Sequence, residues 1–249
     1  MRLTSAEFLA QPRKAITFIG MSGLGKTHTA CMLARQGWEH YSCDEIIGRD
    51  YLAGELDAPV TKEDLSPLSR FVGKLGDPAK GGLPLVEFKR RQKLYYDAEC
   101  ESLRLVGRAI ATSHVDFVND STGSLCEITD TALIDQVGRE TLFIYIRAND
   151  EDEAAILQRA IDYPKPMFFP ASEFDFWLDE YMKDRKIGHS NEIDPDAFAR
   201  WVFPVLFQAR LPKYRRLAEK YGITIASEDI RGIESEKDFL DLVVKGLDS

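Results

Sequence analysis

Eight residues constrain this chain more than any others: Gly20-Met21-Ser22-Gly23-Leu24-Gly25-Lys26-Thr27. They satisfy Gly-x-x-x-x-Gly-Lys-Ser/Thr at every fixed position. By composition alone the pattern arises in about one chain of this length in a hundred. Its setting adds to its meaning. Ala15–Ile19 (AITFI) is a short apolar, partly β-branched run that predicts a buried strand. Lys26–Arg35 predicts a helix, with Gly37 just past its end. Glycines between such elements let the backbone curl so that successive amides face one anion. The start of the helix adds the positive end of its dipole. The pattern therefore predicts a phosphate-binding loop. Gly20, Ser22, Gly23, Leu24, Gly25, Lys26, Thr27 and His28 are its candidate nucleotide contacts. Lys26 reaches the β- and γ-phosphates, and the Thr27 hydroxyl completes a Mg²⁺ shell.

The remaining elements predict alternating strands and helices. Strands are expected at Trp38–Ser42, Val115–Val118, Thr141–Ile146 and Ile223–Ala226. Helices are expected at Leu85–Gly107, Glu151–Ala160, Pro195–Tyr221 and Glu236–Leu247. Pro204 and Pro212 are candidate breaks in the third of these. Five short strands alternating with helices predict an α/β fold of the P-loop NTPase kind. This is a three-layer α/β/α sandwich on a five-stranded parallel sheet, with an enlarged helical lid or insertion.

Composition bounds the partners. The 249 residues carry a formal net charge of −9, which speaks against general attraction to nucleic acid. No apolar run approaches the ~18 residues of a membrane span. The N-terminal segment does not read as a secretory signal. Cys31, Cys43, Cys100 and Cys126 have no metal-finger spacing, and predict reduced thiols in a cytoplasmic protein.

With the loop GMSGLGKT, several later segments resemble the shikimate kinase family and, more broadly, small-molecule kinases of the nucleoside monophosphate kinase fold. Cys43-Asp44-Glu45-Ile46-Ile47 fits the family's Asp and, three residues on, Ile after the second strand. Phe88-Lys89-Arg90-Arg91 resembles its Phe-Arg, with Lys89 in the place of the Arg. Asn119-Asp120-Ser121-Thr122-Gly123-Ser124 stands where the family has a glycine run, and only Gly123 remains. Arg210-Leu211-Pro212-Lys213-Tyr214 resembles its R-x-P-x-Y. Gln158-Arg159 and Tyr163-Pro164-Lys165-Pro166 resemble its pre-lid segment. The departures include Ser42 and Gly48 where acidic residues often stand, and two long segments at about 50–82 and 163–200. The second includes Arg185-Lys186 and many aromatics, which are expected to pack rather than to form a ligand box.

The resemblance implies ATP with Mg²⁺, and phosphoryl transfer to a small, anionic, hydroxyl-bearing acceptor. It implies one P-loop kinase-like domain over residues 1–249, with 50–82 as a helical acceptor-side insertion and 163–200 as a lid. The catalytic set is Lys26, Asp44, Asp120 and Arg159, with Arg185 an alternative lid residue. Asp44, Lys89, Gly123 and Arg210 would contact the acceptor, and Thr27 and Asp120 the metal. Asp120 resembles a Walker B carboxylate, although a strand-end Asp-Ser also suits a helix cap. Two other readings stay open: a nucleotide or nucleoside kinase, and a nucleotide-dependent regulatory ATPase that acts on a protein partner.

Overall fold

Ala15–Ile19 becomes a strand because its residues, β-branched and aromatic, are buried on both faces. It is β1, the central strand of a computed structural model that describes residues 3–61 and 63–248. The other strands are β2 (Glu39–Ser42), β3 (Phe117–Asp120), β4 (Leu142–Arg147) and β5 (Gly222–Ala226). All pairings are parallel, in the order β2-β3-β1-β4-β5, with helices on both sides of the sheet. The predicted α/β fold is therefore observed.

The helices are α1 (Ser5–Ala10), α2 (Lys26–Arg35), α3 (Cys43–Ile46), α4 (Ser66–Val72), α5 (Leu85–Arg104) and α6 (Val106–Thr112). They continue as α7 (Thr131–Glu140), α8 (Asp150–Asp162), α9 (Ala171–Arg185), α10 (Pro195–Tyr221), α11 (Ser227–Arg231) and α12 (Glu236–Leu247). The expected bounds of β1, α2 and α12 are those observed. The third strand runs two residues later than expected, so that Asp120 is its last residue. The suggested break in the long helix does not occur. The carbonyls that Pro204 and Pro212 leave without a helical donor belong to Arg200 and Gln208. Both are exposed residues, so water can serve those carbonyls.

The chain divides into two compact units. The first comprises residues 1–43, 100–153 and 210–249, and holds the sheet. Its core packs Ile16, Phe18, Val118, Phe143, Ile144 and Leu33 at 0% exposure. Phe239 of α12 meets the rings of Phe18 and Trp38 edge to face, at centroid distances of 5.8 and 6.0 Å.

The second unit comprises residues 44–99 and 154–209, and contains both long segments, 50–82 and 163–200. Lys62, in the first of these, lies outside the described residues. One cluster joins Ile47, Leu52, Val60, Leu68, Phe71 and Tyr95. Gly48 belongs to this packing, since a Cβ there would lie 2.5 Å from Val60 Cγ2. An acidic side chain in that place would collide with Val60. A second cluster gathers Phe88, Phe169, Phe174, Trp177, Tyr181 and Phe198. The aromatics of this segment are thus mostly packing, as expected, while Phe176 remains 65% exposed.

Gly222 opens β5 opposite Phe143, and a Cβ built on it would stand 1.8 Å from the Phe143 carbonyl oxygen. Backbone cannot yield as a flexible side chain can. Gly222→Ala should destabilise the sheet unit by about 3 kcal/mol or more, as read from the denaturant midpoint at unchanged slope.

Candidate functional site in the sheet unit

Parallel connections are right-handed. The chain leaves β1 toward β2 and leaves β3 toward β4, so the two connections depart on opposite faces. A crevice therefore opens between the carboxyl ends of β1 and β3, the place where open α/β sheets bind ligands. The glycine loop leaves β1 at this crevice.

Gly20, Gly23 and Gly25 have φ values of +135°, +91° and +98°. Only glycine adopts these without strain. At Gly20 space also requires it, because a Cβ would lie 2.7 Å from the Ile146 carbonyl oxygen. Lys26 is 7% exposed, and its Nζ donates to the carbonyls of Gly20 at 2.8 Å and Met21 at 3.0 Å. The loop is thereby closed on its own lysine. Among the described residues, the amides of Ser22, Gly23 and Gly25 have no hydrogen-bond acceptor. Leu24 is buried, whereas Thr27 and His28 are exposed at the start of α2.

The neighbouring strand ends at Asp120, in register with Phe18. Asp120 is 6% exposed, and its Oδ1 is buried without a hydrogen-bond partner among the described residues. It does not cap the next helix. Asp130 does that for α7, accepting from the Leu133 amide at 3.1 Å. Ser121 Oγ donates to the Phe18 carbonyl at 2.5 Å. Gly123 lies against the loop, and a Cβ on it would sit 3.7 Å from Ser22 N.

Arg210 is buried, and its Nε donates to Glu127 Oε1 at 3.0 Å. Lys213 Nζ donates to Glu127 Oε2 at 2.6 Å. Tyr214 stacks on Tyr145 at 5.4 Å and donates its hydroxyl to the Gly123 carbonyl. Glu127, Lys213 and Tyr214 make long-range pairings that no local pattern announces. Of the three, only Lys213 and Tyr214 fall inside a recognised segment. His40 was also missed. Its Nε2 lies 3.6 Å from Asp120 Oδ2. Alternation along β2 places His40 and Ser42 on one face of that strand, and only the pairing with β3 brings that face to Asp120.

The other expected residues lie in the second unit. Asp44, on α3, accepts from the Tyr95 hydroxyl at 3.5 Å. Lys89 Nζ pairs with Asp175 at 2.6 Å on an exposed surface. Arg90 holds Glu55 and Glu87, and Arg91 holds Glu87 and the Phe71 carbonyl. The guanidiniums of Arg90 and then Arg91 hold the Glu87 carboxyl down at about 2. Arg159 is exposed on α8. Arg185 ends α9 beside Asp184, and Lys186 after it has φ +54°.

Among the described residues no helix is long and apolar enough to cross a membrane. The four cysteines are free thiols. No group of three or more His, Cys, Asp or Glu is placed to hold a metal among the described residues.

No protein-family model and no curated protein matches the chain. Among solved structures it is similar to a shikimate kinase from Acinetobacter baumannii in complex with shikimate. That likeness has 16% identity and a TM-score of 0.43, over 97% of this chain and 93% of the other. It is also similar to an unliganded sugar kinase from Janibacter sp. HTCC2649, with 16% identity and a TM-score of 0.35 over 95% of each chain. Likeness this loose assigns no residue a role and names no substrate for this chain.

Two outcomes test the buried wall. Glu127→Ala leaves Arg210 and Lys213 without their shared carboxylate, and should cost about 3–5 kcal/mol in unfolding free energy. Burial pushes the Cys126 thiol up to about 12 although Arg210 pulls it down. At pH 8 Cys126 should therefore react with iodoacetamide at least ~100-fold more slowly than free cysteine, by mass-spectrometric time course.

Proposed function

We propose that this chain is an ATP-dependent phosphotransferase that moves a γ-phosphoryl group to a small hydroxyl-bearing acceptor. The observation that carries the reading is the loop itself. Amides without acceptors, three left-handed glycines and a lysine folded onto the loop stand beside a strand-end carboxylate. Such a concavity suits a polyphosphate. Ser22, Gly23 and Gly25 would donate their amides to phosphate oxygens. Lys26 would exchange its loop carbonyls for the β- and γ-phosphates.

The donor set also fits a hard cation. Thr27 offers an exposed hydroxyl, and Asp120 a buried carboxylate oxygen that lacks a partner. Mg²⁺ is usually held by one or two protein oxygens plus substrate phosphates, so a cluster of three acidic or imidazole ligands is not required. Thr27 and Asp120 would hold Mg²⁺, which when bound neutralises charge on the phosphates. Asp44 would orient the acceptor hydroxyl and take its proton. Arg210, aligned by Glu127, would take an anionic group of the acceptor, with Lys89 as a further cation and Gly123 contributing backbone. Arg159 or Arg185 would close over the transferring group and limit hydrolysis. Residues 50–82 would serve the acceptor side and 163–200 the lid.

Lys26→Ala should weaken ATP binding and lower acceptor-dependent ADP release by about 100-fold or more. Calorimetry and a coupled assay over hydroxy acids, sugars and nucleosides provide the measurements. Unchanged binding in Lys26→Ala sinks the reading. Slow hydrolysis that no acceptor accelerates favours a regulatory ATPase instead.

A further inference from the structure

We infer that His40 is a positioning residue that holds Asp120 in the orientation a divalent cation needs at the phosphate end of the sheet. The inference rests on the nucleotide reading above. In the ladder between β2 and β3, Ser42 pairs with Asp120 and His40 with Val118. Side chains alternate along strands, so His40, Ser42, Val118 and Asp120 share one face of the sheet. Asn119 takes the other face. There its amide donates to Thr17 Oγ1 at 3.1 Å.

The side chains of His40 and Asp120 are each 6% exposed, and His40 Nε2 stands 3.6 Å from Asp120 Oδ2. Neither His40 Nε2 nor Asp120 Oδ1 has a hydrogen-bond partner among the described residues. A single buried polar atom left unpaired is uncommon in a folded protein, and each instance calls for a cause. Two on facing side chains, at the end of the strand beside the phosphate loop, are explained together if His40 holds the carboxylate and Asp120 meets a ligand.

A small rotation of the carboxylate brings Oδ2 within hydrogen-bond reach of Nε2. The opposite ring nitrogen, Nδ1, lies 4.0 Å from Cys31 Sγ on α2. A thiol is a weak donor, and facing Nδ1 it favours the tautomer with the proton on Nε2. That proton then holds one carboxylate oxygen and leaves the other for the cation. Carboxylates that ligate metals are commonly fixed by such a donor. The imidazole is not itself a ligand here, because its available nitrogen faces the carboxylate and Mg²⁺ prefers oxygen.

The test is calorimetry of a non-hydrolysable ATP analogue with the full chain, with and without Mg²⁺. The ratio of the two Kd values reports the coupling between cation and nucleotide. His40→Ala should lower that ratio about 10-fold, and Asp120→Asn at least as far. His40→Gln, whose amide reaches the Nε2 position, should restore most of it. Should His40→Ala fail to fold, His40→Asn takes its place, since its amide reaches only the Nδ1 position. Unaltered coupling in the Ala or Asn variant overturns the inference alone. So does a loss in His40→Gln as large as in that variant, because the donated proton is then not the cause. Equal binding by Lys26→Ala and the unaltered chain instead overturns the nucleotide reading, and the positioning role falls with it.

Discussion

Parallel pairing between β1 and β3, with Phe18 opposite Asp120, brings the glycine loop and a carboxylate to the same carboxyl end of the sheet. Neither could be placed by its own segment. The loop follows β1 by one residue, while Asp120 is a hundred residues away in the chain, after α6. Parallel strands need crossovers, and right-handed crossovers send the β1 and β3 connections to opposite faces. What this leaves open at the carboxyl ends is a crevice with a donor-rich loop on one side and an acid on the other.

Register decides the chemistry of that acid. Asn119 and Asp120 are adjacent, so a slip of one residue would exchange them. Asn119 is locked by a buried polar chain: it accepts from Cys43 Sγ at 3.1 Å and donates to Thr17, which pairs with Thr141 at 2.7 Å. A buried carboxylate in the place of Asn119 would meet these hydroxyls without a compensating cation. The polar chain on one face thus helps specify which residue stands on the other.

Local signals were legible and non-local ones were not. The β1–loop–α2 unit, α12 and the alternation of strands and helices that makes the sheet parallel follow from periodicity and glycine placement, each confined to a short stretch, whereas the strand order does not. Asp120 is legible as a strand-end acid, although the strand-like run Val115–Val118 starts and ends two residues before the strand does. Its neighbour His40 was not legible, since pairing of β2 with β3 brings together residues eighty apart in the chain. The basic run Lys89–Arg91 shows the opposite difficulty. Read alone it suggests anion binding, yet Asp175, Glu55 and Glu87 engage it on the surface. Their contribution to stability is small at such exposure. Charge type in a sequence identifies a possible partner, and only the fold decides which partner arrives first.

Tyr214 fastens two loops to the sheet through one side chain. Its ring is fully buried against Tyr145 of the sheet, its hydroxyl binds the Gly123 carbonyl, and Met21 Sδ lies 3.8 Å away. Gly123 faces the glycine loop, since a Cβ on it would reach the Ser22 amide at 3.7 Å. The loop after β1 and the loop after β3 are therefore tied to each other and to the sheet through α10. Donor groups aimed at a phosphate are effective only if they need not reorganise when charge develops. A glycine-rich loop has the conformational freedom to form such a concavity and, left alone, the entropy to lose it. Burial of an aromatic anchor with a single directed hydroxyl offsets that entropy without adding charge beside the glycine loop. The same reasoning accounts for the Arg-x-Pro-x-Tyr segment as a unit, in which Arg210 and Lys213 grip Glu127 and Tyr214 fastens the loops one residue further along the helix.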